Sequence, residues 1–236
     1  MSAFGRGLAR VVLKIGGWRI EGDRPEASSY VLIAAPHTSN WDFIWFIAMA
    51  LAKDVPVRWL GKNSLFKGPL GYLMRWLGGL PIERSSPQGY VAQIAGLFSN
   101  PEPVVLVFPA EGTRGRVPHW KSGFYHVARQ AQVPVVLGFL DYPKKRGGFG
   151  LERMLTGDIE ADMDQLRAFY AGIDGRFPDK QGPILLREEG VPPRGDPPGG
   201  DPLEGRPDQP PSTNSQITHT REATKASERS VARSAR

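Results

Sequence analysis

Tyr30-Val31-Leu32-Ile33-Ala34-Ala35-Pro36-His37-Thr38-Ser39-Asn40-Trp41-Asp42 is the stretch on which the fold turns. Its opening, Tyr30 to Ala35, is apolar and β-rich, the pattern of a buried strand. A longer apolar run, Phe43 to Leu51, follows Asp42, and a helix start favours an acidic residue. His37 therefore stands on a strand-to-helix loop, with Asp42 at the helix N-terminus. In open α/β sheets that edge is where ligands bind. A neutral imidazole takes a proton from an alcohol through one ring nitrogen. A carboxylate on the other nitrogen fixes the tautomer and stabilises the imidazolium. Taken alone, a chance histidine beside a helix-capping aspartate is the simpler reading, so the rest of the chain decides.

A second loop has the same placement. Val104-Val105-Leu106-Val107-Phe108 reads as a buried strand, and Pro109-Ala110-Glu111-Gly112-Thr113-Arg114-Gly115 follows it directly. Glycine lets backbone N–H groups approach an anion, and Arg114 adds charge. As a lone segment this is an ordinary loop; beside the His37 loop it makes a second wall of one site.

Trp18 to Gly22, residues 55–60 and 133–140 are further strand candidates, and residues 183–186 an edge strand. Helical spacing is found over 65–77, 87–99, about ten residues capped by Ser122, and 162–173. For 65–77 the apolar side, Phe66, Leu70, Leu73, Trp76 and Leu77, is either core or a surface for acyl chains. After it, Gly78-Gly79 marks a helix stop, and Arg84 could hold a phosphate bidentately. His126 falls off its helix's apolar line and reads as structural; His119 is a loop histidine without visible partner. The alternation of strands and helices predicts an α/β fold with a largely parallel central sheet flanked by helices.

Residues 3–17 fit an amphipathic helix with Phe4, Leu8, Val11, Val12 and Ile15 on one face and Arg6, Arg10 and Lys14 opposite. A helix packed on the domain and one lying in a membrane interface both fit; the absence of acids before Glu21 favours the membrane. No apolar run approaches the ~18 residues of a spanning helix, and no signal peptide is evident. The 236 residues include no cysteine, which excludes disulfides, thiolate metal sites and cysteine nucleophiles. From residue 187 onward no aromatic occurs, and proline and glycine are dense to 211, so 187–236 is expected to be a disordered tail. That tail holds eight basic and eight acidic residues, so the net charge of +6 belongs to residues 1–186. Their partners are expected to be anionic. The organisation expected is thus 1–17 interfacial helix, 18–186 domain, and 187–236 tail.

His37-x4-Asp42, then Gly79-Leu80-Pro81-Ile82-Glu83-Arg84, then Phe108-Pro109-Ala110-Glu111-Gly112-Thr113-Arg114, then Val133-Pro134-Val135, stand in that order. This resembles the phospholipid/glycerol acyltransferase superfamily, of the lysophosphatidate acyltransferase type, over residues 17–186. The resemblance implies transfer of a fatty acyl group from acyl-CoA or acyl carrier protein to the free hydroxyl of 1-acyl-glycerol-3-phosphate in phospholipid synthesis. By it, His37 is the general base and Asp42 orients it. Arg84 binds the acceptor phosphate, Glu111, Gly112 and Thr113 position the acceptor, and Arg114 assists. It implies no covalent enzyme intermediate, metal or cofactor, and a peripheral place on the cytoplasmic face of a membrane. Two departures stand out: Ala110 interrupts the usual Phe-Pro-Glu-Gly-Thr-Arg, and Pro81 and Glu83 replace an aromatic or apolar residue and an aspartate.

Three other readings compete. One keeps the chemistry with another lysolipid or lipid-linked hydroxyl as acceptor. One is a non-catalytic module for anionic lipid or nucleic acid, although no nucleic-acid motif appears. The last is a metal hydrolase, disfavoured because no second histidine stands at ligand spacing.

Overall fold

Tyr30 to Ala35 is buried on both faces, as a strand of a helix-covered parallel sheet must be. Tyr30 and Leu32 turn to one core cluster, Val31, Ile33 and Ala35 to the other. The computed structural model describes residues 3–82 and 87–190. In chain order these form α1 (Ala3–Gly16), β1 (Arg19–Glu21), β2 (Tyr30–Ala35), α2 (Trp41–Ala52) and β3 (Val57–Lys62). Then come α3 (Gly68–Trp76), β4 (Gly79–Ile82), α4 (Pro87–Ala95) and β5 (Val105–Phe108). The last are α5 (Gly123–Ala131), β6 (Val135–Asp141), β7 (Arg146–Arg153) and α6 (Ile159–Tyr170).

The seven strands form one sheet in the order β1-β7-β6-β2-β5-β3-β4. Every pair is parallel except β6 with β7. The α/β fold with a largely parallel sheet is therefore the observed one. β2 lies at the centre between β5 and β6, with Ile33 opposite Phe108 and Ala35 opposite Phe139. The three strands are parallel, and their C-terminal ends step by two residues from β5 to β2 to β6. The loops after β2 and β5 and the turn after β6 therefore leave the same sheet edge side by side. On one face β2 packs with α2 through Ile47 and Ala50. On the other it packs with α5 and α6 through Phe124, Val127, Met163 and Leu166.

Three expectations change. Residues 183–186 form no strand: Leu185 accepts a bond from the Trp120 amide and Leu186 is buried, outside the ladder. The sheet instead gains β7, antiparallel to β6. Ser122 stands at the N-cap of α5 without a side-chain capping bond. Arg84 lies outside the described residues, as does the expected tail from 191 onward. Residues 187–190, assigned to the tail on sequence, carry a domain contact: Glu189 accepts from Arg167 and from the Leu186 amide.

α1 packs antiparallel on α2. Its N-terminal half puts Arg6 3.5 Å from Asp54, beyond the end of α2, and its C-terminal Gly16 abuts Trp45 in the first turns of α2. The buried seam is Ala9 and Leu13, against Ala48, Met49, Ala52 and Trp18. The stripe Phe4, Leu8, Val11 and Ile15 is exposed. A helix packed on the domain and an apolar outer face thus coexist. α3 likewise buries only Gly71 and exposes Leu70, Tyr72, Leu73 and Trp76, while Phe66 before it is core. Among the described residues no helix is long and apolar enough to cross a membrane.

The seam and the stripe should respond oppositely to truncation. Leu13 is 3% exposed and Leu8 55%. Leu13→Ala should cost about 2–5 kcal/mol in a denaturation experiment. Leu8→Ala should stay within about 0.5 kcal/mol of wild type. Equal losses would mean that the outer stripe is packed in solution.

Candidate active site

The centre of the site is the carboxylate of Asp42, only 4% exposed although it sits in the first turn of α2. Its Oδ2 accepts from the amides of Thr38 and Ser39, each at 2.8 Å. The acidic side chain thus reaches back over the residues preceding its helix, in the manner of a capping box. The helix dipole favours a negative charge there. His37 Nδ1 lies 3.2 Å from the same oxygen. An ionised carboxylate only accepts, so Nδ1 carries the proton and Nε2 presents its lone pair. Burial pushes the Asp42 carboxyl up. The bonds from His37, Tyr142 and Ser39 outweigh burial and hold it below the ordinary aspartate value. His37 itself is partly open to solvent. The arrangement can remove a proton from a hydroxyl delivered to Nε2.

The β5 loop supports His37 from the other side. Ala110 is buried, and its carbonyl accepts from the Lys121 amide at 2.7 Å. Glu111 is thereby turned inward, 5% exposed, with Oε1 accepting the His37 amide at 3.0 Å. Its Oε2 is buried without a partner among the described residues. Burial pushes the Glu111 carboxyl above the ordinary glutamate value, and the Asp42 charge adds to this. Gly112 turns back with φ +70, its amide bonded to the Pro109 carbonyl at 2.9 Å. That conformation suits glycine, and it directs this N–H into the turn and away from any ligand. Thr113 and Arg114 are exposed beside it. The structure therefore brings His37, Asp42 and Glu111 together and leaves Gly112, Thr113 and Arg114 on the adjoining turn.

A cavity of about 200 Å³ opens at His37 and Asp42. Beyond those two polar residues its walls are apolar: Phe43, Phe46, Trp59, Val107, Phe139 and Leu140 among them. It runs under the loop, between α2 and the ends of β2, β5 and β6.

Two contributors were not legible in the sequence. Tyr142, in the turn after β6, donates its hydroxyl to Asp42 Oδ1 at 2.6 Å. Arg176, after α6, stacks over Trp41 and Phe177, and the Phe177 amide donates to Thr38 Oγ1. Both arrive from a hundred or more residues away, and only the parallel register of β6 beside β2 brings Tyr142 level with the His37 loop. His119 has a buried Nδ1 with no partner among the described residues, and His126 lies 3.7 Å from Glu188. Neither lines the cavity at His37 and Asp42. Among the described residues no three His, Asp or Glu side chains gather in a way that would hold a metal ion.

Glu111 yields a signed prediction. Its folded-state pKa is raised, so the folded state holds more protons than the unfolded chain just above pH 4.5. Stability should fall as pH rises from about 4.5 through the folded value. Glu111→Gln keeps an oxygen for the His37 amide and removes the charge. Melting curves across pH 4–8 should lose that fall in the variant and show equal or higher stability at neutral pH. An unchanged pH dependence would show that Glu111 is not the group responsible.

Comparison with curated proteins gives no match. Among solved structures, the chain is similar to the 1-acyl-sn-glycerophosphate (LPA) acyltransferase PlsC from Thermotoga maritima. The two are 16% identical, over 71% of this chain and 76% of that one, with a TM-score of 0.54. At that identity the likeness bears on the fold, and the fold agrees. Residues 18–136, half of the chain and the whole span from Trp18 through β2, the His37 loop, β5 and α5, match the family model described as Acyltransferase. With its His-x4-Asp loop folded as a hydrogen-bonded pair over an apolar cavity, this chain belongs to the acyltransferase family.

Proposed function

We propose that this acyltransferase moves a fatty acyl group from acyl-CoA or acyl carrier protein to the free hydroxyl of 1-acyl-glycerol-3-phosphate. The observation that carries the reading is the His37–Asp42 pair standing at the mouth of an otherwise apolar cavity. His37 Nε2 takes the hydroxyl proton as the oxygen attacks the thioester carbonyl. The tetrahedral intermediate collapses, the carbon–sulfur bond breaks, and the thiolate leaves with the proton from Nε2. General-base help of this kind contributes roughly 10²–10⁴-fold, and positioning supplies much of the remainder. The acyl chain occupies the cavity lined by Phe43, Phe46 and Trp59. Each methylene buried there contributes about 0.8 kcal/mol.

Asp42 orients the base. Glu111 holds the His37 amide, a supporting role in place of direct contact with the acceptor. Gly112 shapes the turn, and Thr113 and Arg114 stand exposed for the acceptor or its phosphate. Arg84, closing the second block, is assigned the acceptor phosphate on the family resemblance. No cofactor beyond the thioester donor is required by this chemistry. The peripheral contact, on the cytoplasmic face of a membrane, is the α1 stripe Phe4, Leu8, Val11 and Ile15, with Arg10 and Lys14 toward lipid headgroups. Trp41 and Ile44, exposed where α2 begins, continue that apolar surface toward the site.

The test is acyl transfer from labelled acyl-CoA, and separately from acyl carrier protein, to lysophosphatidic acid in lipid vesicles. His37→Ala should abolish product with the melting temperature preserved; near-normal turnover in that variant would refute the base assignment. A lysolipid panel in the same assay decides the acceptor: turnover indifferent to the phosphomonoester would shift the reading to another lysolipid. For the membrane contact, Leu8→Glu with Ile15→Glu should weaken sedimentation with anionic vesicles by about tenfold or more. Unchanged partitioning would place the contact elsewhere.

A further inference from the structure

Asp42 divides its two oxygens unequally. Oδ2 serves the amides of Thr38 and Ser39 and His37 Nδ1, whereas Oδ1 has a single partner, the Tyr142 hydroxyl at 2.6 Å. Nothing in the four sequence blocks includes this tyrosine. We infer that Tyr142 is a positioning residue for the reaction: by holding Oδ1 it fixes the plane of the Asp42 carboxylate, and through it the tautomer and direction of the His37 imidazole. The inference rests on reading His37 as the base.

Tyr142 is itself held at its amide and its ring, and its turn is tied down by Lys145. Its amide donates to the Asp174 carbonyl at 2.9 Å, tying the turn after β6 to the segment after α6. Its ring meets Trp18 edge to face, with centroids 5.0 Å apart. Lys145, in the same turn, donates through Nζ to the Gly16 carbonyl at the end of α1, and its own carbonyl accepts the Arg19 amide. A ring packed on Trp18, on a backbone tied to the segment after α6, delivers its hydroxyl with little freedom to lose, which is what orienting a carboxylate within tenths of an ångström requires. Burial and the Asp42 charge both push the Tyr142 phenol well up from its ordinary value, so it stays a donor at any working pH.

The sign of its influence follows from the groups around it. Asp42 faces His37 on its own loop and Tyr142 from the β6–β7 turn, and its charge reaches Glu111 on the β5 loop, raising that carboxyl. Arg176, after α6, acts on Tyr142 from the outer side. Removing the hydroxyl leaves Glu111 and Arg176 in place and strips Oδ1 of its donor. The carboxylate charge then falls more heavily on the imidazole, favouring its protonated form and demanding higher pH for the free base. It also gains freedom to turn away from Nδ1.

Tyr142→Phe keeps the ring against Trp18, so the packing survives. We expect kcat to fall about 10- to 100-fold, the worth of one hydrogen bond to a charged group. The acceptor KM should stay within about twofold, and the acid limb of the pH–rate profile should move to higher pH. A readout without substrate runs beside it. Nitrogen-15 spectra of the four histidines, with His37→Asn assigning one of them, should show a single Nδ1–H tautomer in wild type and a mixture in Tyr142→Phe. Wild-type kcat with an unmoved acid limb would overturn the inference. So would a lower melting temperature with an unchanged profile and tautomer, which would make Tyr142 a packing residue. Should wild type acylate no lysophosphatidate, the acceptor reading fails, and the imidazole spectrum still decides this one.

Discussion

The site depends on one buried carboxylate satisfied from four directions. An ionised group removed from water is tolerable only when its oxygens are hydrogen-bonded. Asp42 has four such partners: two amides before its own helix, the imidazole, and a phenol from across the sheet. The amide bonds lock the Thr38-Ser39 backbone, and that backbone decides where His37 points. The same contacts that make the charge affordable therefore determine the direction of the His37 imidazole.

Glu111 is the contrasting carboxylate. Equally buried, it has one amide donor and an unmatched second oxygen, so its environment pushes it toward the neutral form while Asp42 is held ionised. Two buried acids with opposite shifts have separate roles. One holds the imidazole of His37; the other holds its backbone amide. Ala110, the residue that interrupts the family's third block, is what is buried at the end of β5, and Glu111 turns under the His37 loop from there.

Much of this was legible because the informative signals were local. Tyr30–Ala35 and Val105–Phe108 are uniformly apolar, and the positions of His37, Asp42 and Glu111 beyond those strands followed from that pattern. What failed was long-range. β7, Arg146–Arg153, contains three glycines and reads as a loop, yet a Cβ on Gly148 would lie 2.0 Å from the Glu21 carbonyl, so the glycine marks a close strand approach. The apolar run at 183–186 is satisfied by Trp120 and the core without a ladder partner. On α1 periodicity found the apolar stripe but not which side faces the domain, because two small seam residues, Ala9 and Gly16, contribute little to an apolar count while permitting the closest approach. Tyr142 had no signal at all: its partner is a hundred residues away, and a tyrosine in a turn looks like any other.

The placement of α1 gives these contacts a common direction. A membrane-seeking helix joined through a flexible linker would leave the site free to face anywhere. Here the Trp18 amide donates to the Leu13 carbonyl, Trp18 packs on Trp45 at 5.4 Å, and Trp45 stacks on Trp41 at 6.2 Å beside the His37 loop. The other face of the same Trp18 meets Tyr142. The α1 helix and the His37 loop are thus joined through packed aromatic rings. The position of the cavity relative to the stripe follows from this packing. On the proposed reading, with the acceptor hydroxyl at a membrane surface, that fixed geometry would orient the site before any substrate binds.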